Sequence, residues 1–257
     1  MPDWLHITAG NLTVRLAETE DDVLQAQHLR YQTFFEEMGG VPSPEVAQQK
    51  RDFDNFDPHC DHLLVLDNDR TVVGTYRLLR QQPMQSIGRF YTESEFDITL
   101  LKEYNGNILE LGRSCVAPDY RNRAVMQMLW RGIAMYCMHH NVSLMFGCGS
   151  LPEANPALHH DTLAYLYQYH LAPPSLRARA LDARCIPMDH PLSPDVNIRR
   201  LFASLPPLIK GYLRAGGHVG DGAVLDHDCN TTDVCIVIAT SQITEKYTQR
   251  YFKSPEK

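Results

Sequence analysis

The sequence predicts an α/β protein of the α+β type, in which a central mixed sheet is flanked by helices. Residues 62–79 alternate as two strands around the polar turn 67–70, which is typical of a hairpin. Residues 107–150 follow the order of a strand, a basic turn, a helix and a second strand. Because no linker-like stretch divides the chain, we expect one domain over residues 1–257, with a C-terminal extension from about residue 170 packing on the core.

The composition excludes several broad classes of protein. The chain is 44% hydrophobic and 21% charged, which is typical of a globular protein with a buried core. It contains no apolar run long enough to cross a bilayer, and its first ten residues lack a secretory signal pattern. A net charge of -7 makes nucleic acid a poor partner. Seven cysteines without a CxxC pair predict reduced thiols in a cytoplasmic protein.

Patterns along the rest of the chain predict the other elements. Thr19 is a candidate N-cap, so we expect residues 20–36 to form a helix. The run "GGHVGDG" (216–222) precedes no helix, so we expect a flexible loop over 215–222 and no dinucleotide-binding motif. The remaining elements are a strand at 11–19, a short strand and helix within 88–104, a helix at 155–169, irregular chain at 170–196, helical pieces at 198–205 and 208–215, and a strand at 233–240.

The basic turn between the strand at 107–116 and the helix at about 121–139 predicts an anion-binding site. The start of a helix exposes unpaired N–H groups and the positive end of its dipole, which suits a phosphate. Arg121 and Arg123 lie at this start, and the alternative is that both are solvated. The helix itself carries an apolar stripe, at Val125, Leu129, Gly132 or Ile133, and Tyr136.

This order of elements resembles the Gcn5-related N-acetyltransferase (GNAT) fold, in which the turn holds the pyrophosphate of coenzyme A. Here Ala124 and Met126 stand where that family usually has small residues. Glycines let a backbone approach a phosphate closely, so their absence favours a single phosphate, as on the phosphopantetheine arm of an acyl carrier protein. The resemblance implies that the acyl donor is bound by Val116, Arg121, Asn122, Arg123 and Ala124.

Further stretches resemble the acyl-homoserine lactone synthases, which use acyl-carrier-protein thioesters. That family usually has a tryptophan after its first helix, whereas this chain reads Met38-Gly39-Gly40, a departure that bears on the acceptor. The positions that match the family pattern in order are Arg30, Phe34, Asp52, Asp54, Asp57, Arg77, Glu110 and Arg113.

A closer resemblance, over residues 12–240, is to the ornithine lipid N-acyltransferases, which include relatives described as hemolysin-like. It rests on "RSCVAPDYRNR", "LWRGIAMY", "YHLAPP" and "LPPLIKGYLRAGGHVGDGAVLDHDCNTTDV". It implies transfer of a 3-hydroxyacyl group from acyl carrier protein to the α-amine of L-ornithine, which gives a lyso-ornithine lipid. The donor is then 3-hydroxyacyl-phosphopantetheine on the carrier protein, and no cofactor is tightly bound. A location peripheral to the inner membrane, at the membrane surface, is a further expectation.

This chemistry needs a base, because the α-amine must lose a proton before it attacks the thioester. Glu110 is our candidate, and a structural ion pair between Glu110 and Arg113 is the alternative. Residues three apart in a regular strand point to opposite faces, so the two can share a site only if a bulge or twist re-aims one of them. Such a bulge would also free a backbone N–H near Cys115 or Val116 to polarise the thioester oxygen.

The substrate carries a carboxylate and a second cation. An arginine fork suits the carboxylate, and Arg30, Arg77 and Arg113 are the candidates. The acidic run Asp52, Asp54 and Asp57 could hold the side-chain ammonium, or it could clamp these arginines instead.

Other reactive side chains have smaller expected roles. Tyr165 or Ser150 could protonate the leaving thiolate. Cys148 lacks a recognisable histidine partner, so we expect direct transfer without an acyl-enzyme. The cluster "HCDH" (59–62) does not have the spacing of a tetrahedral site, and no metal is predicted.

Two other functions stay open at this point. One is an enzyme that makes acyl-homoserine lactones from S-adenosylmethionine. The other is a catalytically silent lipid- or carrier-binding protein, or a membrane-perturbing hemolysin. Residues 199–214 place cations beside large apolar side chains, a pattern that could lie on a bilayer or dock an acidic partner.

Overall fold

The computed structural model describes residues 4–243. The strands are β1 (His6–Ala9), β2 (Leu12–Leu16), β3 (Asp61–Leu66), β4 (Val72–Arg80), β5 (Phe96–Asp97), β6 (Asn107–Val116), β7 (Val142–Pro152), β8 (Arg179–Ala180), β9 (Cys185–Ile186), β10 (His218–Asp226) and β11 (Thr231–Ala239). The helices are α1 (Glu20–Tyr31), α2 (Pro44–Gln49), α3 (Gln81–Ile87), α4 (Thr99–Lys102), α5 (Arg123–His139), α6 (His160–His170), α7 (Ile198–Ser204) and α8 (Pro207–Ala215).

These elements fall into two compact units that interleave along the sequence. Among the described residues, unit 1 comprises 4–88 and 111–142, and unit 2 comprises 89–110 and 143–243. The chain passes from unit 2 to unit 1 within β6. The expected single domain with an extension from about residue 170 stays a prediction.

Unit 1 is an antiparallel sheet with a helix on each face. Strands β1, β2, β3 and β4 are neighbours in that order, and the N–H of Ala117, just after β6, donates to the carbonyl of Val73 at 2.9 Å. The predicted capping of α1 is confirmed. The Thr19 hydroxyl oxygen accepts a hydrogen bond from the N–H of Asp22, and the Asp22 carboxylate accepts one from the N–H of Thr19. Helix α1 packs on one face through a cluster that contains Ala26, Leu29 and Leu64.

Helix α5 covers the other face of unit 1. Its predicted apolar stripe is confirmed, since all four of its members are buried. Gly132 lies so close to the sheet that an added Cβ would be 2.8 Å from Leu63 Cδ1 and 2.9 Å from Val14 Cγ2. The distance between α5 and the sheet is therefore set by the absence of a side chain at Gly132.

Unit 2 is a mixed sheet. Strands β7, β11 and β10 pair antiparallel, β10 pairs β8 in parallel, and β8 pairs β5 antiparallel. Helix α8 covers one face, where Ile209 lies near Gly149 and Ile236. The opposite face of β7 carries Cys148, which lies against the residues just before β5.

The glycine-rich loop expected over residues 215–222 is wrong, because most of it is strand β10. Gly216 adopts φ of 102° and ends α8, and the strand begins two residues later. The register with β11 shifts between Val219 and Ala223, and Gly222 in this bulge has φ of 83°. A bulge that needs glycine removes the apolar alternation by which a strand is recognised in a sequence.

The close approach at Gly132 predicts a large effect of a branched side chain. Gly132→Val is expected to lower the free energy of unfolding by about 2–3 kcal/mol, because α5 must move away from Leu63 and Val14. Urea denaturation measures this change. Gly112→Val is the matched control, since an added Cβ at Gly112 meets no atom within 4 Å. Equal losses in the two variants would contradict the packing argument.

Candidate active site

The residues predicted to bind the substrate come together in unit 1 with Arg113. The ion pairs join Arg30 to Asp52 (2.7 Å) and Asp57 (2.9 Å), Arg77 to Asp54 (2.7 Å) and Asp57 (3.1 Å), and Arg113 to Asp52 (3.3 Å) and Asp54 (3.6 Å). We call these six residues the Arg–Asp network. Each aspartate contacts two arginines, so the acidic run clamps the arginines in this structure. That the network binds the substrate stays a prediction.

The network lowers the pKa of two of its carboxylates, Asp52 and Asp57. Burial raises the pKa of Asp57, but the charges of Arg30 and Arg77 outweigh burial and hold that pKa well below its usual range. Burial acts on Asp52 in the same way, and the charges of Arg113 and Arg30 lower its pKa. The Arg30 side chain is 1% exposed, so Asp52 and Asp57 compensate its buried charge.

Strand β6 is irregular at Arg113. Arg113 has φ of 49°, in the left-handed region that non-glycine residues rarely adopt. Its guanidinium reaches Asp52 and Asp54 and lies 6.0 Å from the ring centroid of Phe34. The residue before it, Gly112, faces open space.

Glu110, the predicted base, is held by the segment that precedes β5. Its Oε1 accepts hydrogen bonds from the Thr92 N–H (2.7 Å) and the Thr92 hydroxyl (2.6 Å), and its Oε2 accepts from the Tyr91 N–H (3.0 Å). Both oxygens accept, which is the arrangement that an ionised carboxylate needs. The Glu110 residue is 5% exposed.

The predicted donor-binding residues lie at the turn into α5. Asn122 is the N-cap, and its side chain accepts from the N–H groups of Ala124 (2.9 Å) and Val125 (3.3 Å). Arg121 donates to the Val116 carbonyl (3.0 Å) and pairs with Glu37 (2.5 Å). Residues 121–124 are exposed, whereas Val116 is buried.

Tyr165 lies on α6, in unit 2. Its hydroxyl is 3.0 Å from Nε2 of His170, and burial raises the pKa of the phenol. Its role as a proton donor to the leaving group stays a prediction.

The sequence reasoning missed a group of buried acidic residues in unit 2. Glu95, Cys148 and Asp233 each place a potential ligand atom within 4.8 Å of the others. Burial and the charges of Asp233 and Asp226 raise the pKa of Glu95 to about 8. Burial and the charge of Glu95 raise the pKa of the Cys148 thiol well above its ordinary value, which makes it a poor nucleophile. The sequence signal for this group is Asp233, a charged residue in the otherwise largely apolar strand β11.

Within residues 4–243, no helix combines the length and the hydrophobicity that a membrane span requires. The seven cysteines all lie within the described residues and form no disulfide there.

Comparison with known proteins identifies similar sequences over nearly the whole chain. A family model described as an acetyltransferase (GNAT) domain matches residues 29–131. The chain is 41% identical over 250 residues to an L-ornithine N(alpha)-acyltransferase of Brucella abortus (strain 2308), covering 94% of this chain and 89% of that protein. It is 42% identical over 256 residues to the protein of the same name from Rhizobium meliloti (strain 1021), covering 94% and 84%.

Two solved structures share the fold at low sequence identity. The acyl-homoserine lactone synthase LasI superposes with a TM-score of 0.52 at 14% identity and covers 96% of this chain and 100% of its own. FeeM, an N-acyl amino acid synthase from uncultured soil microbes, superposes with a TM-score of 0.50 at 11% identity and covers 91% and 96%. The family model and these structures confirm the predicted GNAT fold, with a mixed sheet flanked by helices.

The Arg–Asp network predicts how stability depends on pH. Asp57→Asn is expected to cost about 3 kcal/mol at pH 7, because it leaves Arg30 and Arg77 buried with less compensating charge. The folded-state pKa of Asp57 is depressed, so its stabilisation is present above the unfolded pKa of about 4 and is lost as the pH falls below that value.

Urea denaturation of the wild type and the variant from pH 3 to pH 8 tests this expectation. The difference between them should be constant above about pH 5 and shrink below pH 4. Asp69→Asn, at an exposed position, is the control and should change stability by less than about 0.5 kcal/mol. A difference that does not depend on pH would contradict the role of the charge.

Proposed function

Because this chain belongs to the family of the L-ornithine N(alpha)-acyltransferases, we propose that it transfers an acyl group to the α-amine of L-ornithine. The observation that carries this proposal is the identity of 41% and 42% to two proteins of that name, over 94% of the chain. The product is a lyso-ornithine lipid, and the donor is a 3-hydroxyacyl thioester on acyl carrier protein.

In the proposed reaction, the α-ammonium loses a proton and the free amine attacks the thioester carbonyl. A C–N bond forms and the nitrogen loses a second proton as it becomes an amide. The C–S bond breaks, and the phosphopantetheine thiolate leaves and takes up a proton. Glu110 accepts the proton from the amine, directly or through water. Tyr165 is our candidate for the proton that goes to the thiolate. The raised pKa of Cys148 supports direct transfer without an acyl-enzyme.

Arg113 is the network arginine best suited to the substrate carboxylate. Its side chain is 17% exposed, compared with 1% for Arg30 and 5% for Arg77. In this proposal Arg113 binds the carboxylate, and Asp52 and Asp54 fix its orientation. The other members, Arg30, Asp57 and Arg77, hold those aspartates in place and so contribute to substrate binding.

The turn before α5 supports a donor with one phosphate. The Asn122 side chain already accepts the N–H groups of Ala124 and Val125, to which a pyrophosphate would otherwise bind. We propose that Arg121 and Arg123 bind the single phosphate of the carrier-protein arm, with the backbone of Val116 beside the thioester. The carrier protein implies a cytoplasmic location. The exposed Arg199, Arg200 and Arg214 support a peripheral contact with an anionic membrane surface.

The purified protein is expected to convert L-ornithine and 3-hydroxyacyl carrier protein into a lyso-ornithine lipid, detected by mass spectrometry. The value of kcat/KM with the matching coenzyme A thioester should be lower by at least about 10²-fold. Arg123→Gln should raise the KM for the carrier-protein thioester about tenfold through loss of one charged contact. Arg70→Gln, at an exposed turn of unit 1, is the matched control.

A product that requires S-adenosylmethionine would support a lactone synthase instead. Leakage of liposomes without acyl transfer would support a hemolysin. Either result would overturn the proposed function.

Two substitutions separate the proposed role of Glu110 as a base from its structural role as a hydrogen-bond acceptor. Glu110→Gln is expected to lower kcat by about 10³-fold, because a general base contributes that much. It also disturbs the contacts with Tyr91 and Thr92, so some stability is lost. Thr92→Val removes a hydrogen bond to the same carboxylate and leaves the base in place.

Measuring kcat and the melting temperature of both variants distinguishes a catalytic role of Glu110 from a structural one. We expect similar losses of melting temperature, with a loss of kcat for Thr92→Val below about tenfold. If activity falls in proportion to stability in both variants, Glu110 has a structural role only.

A further inference from the structure

Two buried carboxylates of unit 2 lack a cationic partner of their own. Glu95 is 2% exposed and Asp226 is 7% exposed. Among residues 4–243, no arginine, lysine or histidine nitrogen lies within 4.0 Å of either carboxylate. Arg184 lies nearby, but its guanidinium donates to the backbone carbonyls of Ser94 (3.1 Å) and Leu225 (2.9 Å). Carboxyl groups are therefore concentrated here without an arginine clamp like that of unit 1.

These carboxylates share one face of the sheet with Asp233. In β11, Asp233 lies opposite Ser150 of β7, and Thr231 lies opposite Asp226 of β10. Cross-strand partners project on the same side, so Asp226 and Asp233 face the same way. Glu95 joins them there, within 4.8 Å of Asp233. We call Glu95, Asp226 and Asp233 the carboxylate cluster.

A hydroxyl on the same face is unsatisfied. Thr231 is 1% exposed, and its Oγ1 has no hydrogen-bond partner among the described residues. It precedes Asp233 by two residues on β11, so it projects from the same face of the sheet as the carboxylate cluster. A buried hydroxyl without a partner is costly, and a ligand that donates a hydrogen bond would satisfy it. Cys148 and Ser150, beside the cluster, are only half-buried, so the cluster borders accessible surface.

The carboxylate cluster lies within reach of the proposed base. Three successive contacts lead from Glu110 to Glu95: the Glu110 carboxylate to Thr92 Oγ1 (2.6 Å), Thr92 Oγ1 to Cys148 Sγ (3.9 Å), and Cys148 Sγ to the Glu95 carboxylate (3.5 Å). The two nitrogens of an extended ornithine are about 6 Å apart, and a hydrogen bond at each end adds about 3 Å. One ornithine can therefore place a nitrogen at each carboxylate.

We propose that the carboxylate cluster and Thr231 bind the side-chain ammonium of the amino acid substrate while its α-amine lies at Glu110. This inference rests on the proposed function and assigns the selectivity of the same site. The ammonium brings three N–H donors, which match two carboxylates and the unsatisfied Thr231 hydroxyl. An ammonium held among carboxylates stays protonated and does not attack the thioester. The cluster thus directs acylation to the α-nitrogen as well as selecting a basic amino acid.

Acylation of L-ornithine and of L-2-aminopentanoic acid, which has the same carbon chain without the side-chain amine, tests the proposal. Wild type should prefer L-ornithine by at least about 10³-fold in kcat/KM. Glu95→Gln and Asp233→Asn should lower kcat/KM for L-ornithine by about 10²-fold, mainly through KM. Both variants should retain the wild-type value for L-2-aminopentanoic acid within about threefold, and product carrying the acyl group on the side-chain nitrogen should increase.

Thr231→Val keeps the shape of the side chain and should lower kcat/KM for L-ornithine about tenfold with no effect on L-2-aminopentanoic acid. It therefore keeps the proposal testable if the charge variants fail to fold. Glu103→Gln, at an exposed position of unit 2, is the control for a Glu-to-Gln change and should behave as wild type.

The outcomes separate this proposal from the proposed function. A wild type that acylates neither amino acid overturns the function itself. A wild type that acylates L-ornithine with the same preference in all cluster variants overturns only the inference. Stoichiometric zinc in the purified protein, lost in Glu95→Gln and Asp233→Asn, would assign the cluster to a metal and overturn the inference as well.

Discussion

The burial of Arg30 constrains the arrangement of unit 1 around the candidate site. A guanidinium that is 1% exposed must be neutralised within the protein, and among residues 4–243 the segment that carries Asp52 and Asp57 is the one that does so. The same segment is fixed to α1 by the Asp52 N–H, which donates to the Gln27 carbonyl at 3.0 Å, and by the Gln27 side chain, which donates to Asp57 at 3.0 Å.

Asp57 extends this constraint to β4 through Arg77, and Asp52 extends it to β6 through Arg113. A helix, an irregular segment and two strands are thus connected by charge pairs that cannot be removed singly without leaving a buried ion. The network therefore has a structural role whatever it binds, and it places the more accessible Arg113 guanidinium at a defined position.

The positive φ of Arg113 has a cost that the network offsets. A non-glycine residue in the left-handed region costs about 1–2 kcal/mol, and glycine would remove that cost. Glycine cannot supply a guanidinium to Asp52 and Asp54, however. The adjacent Gly112 does not have a positive φ; among the described residues of β6, Arg113 alone does. The strain is retained at the residue whose side chain the site needs.

Capping and periodicity patterns predicted the elements whose structure is determined by one short stretch of sequence. The Thr19 cap and the stripe of α5 depend on residues three or four apart, and both were found. The bulged strand β10 was missed because its glycines remove the alternation. A family resemblance predicts the members of the Arg–Asp network, but local patterns do not predict their pairing, because it joins positions at least twenty residues apart. The carboxylate cluster was missed for the same reason, since Glu95 and Asp233 meet only through tertiary structure.

The two sets of buried carboxylates differ in the source of the positive charge that compensates them. In unit 1 the chain encodes both ions, so Asp57 has a depressed pKa and is fixed before any substrate arrives. In unit 2 no cation of the described chain lies within ion-pair distance of Glu95, and its raised pKa of about 8 keeps it largely protonated at neutral pH. A protonated carboxyl costs less to bury than an anion, so the unit tolerates the cluster when no ligand is bound. In the proposed complex, the substrate ammonium forms an ion pair with the cluster, so the protein supplies the carboxylates and the substrate supplies the cation. A structural ion pair differs because the protein supplies both ions.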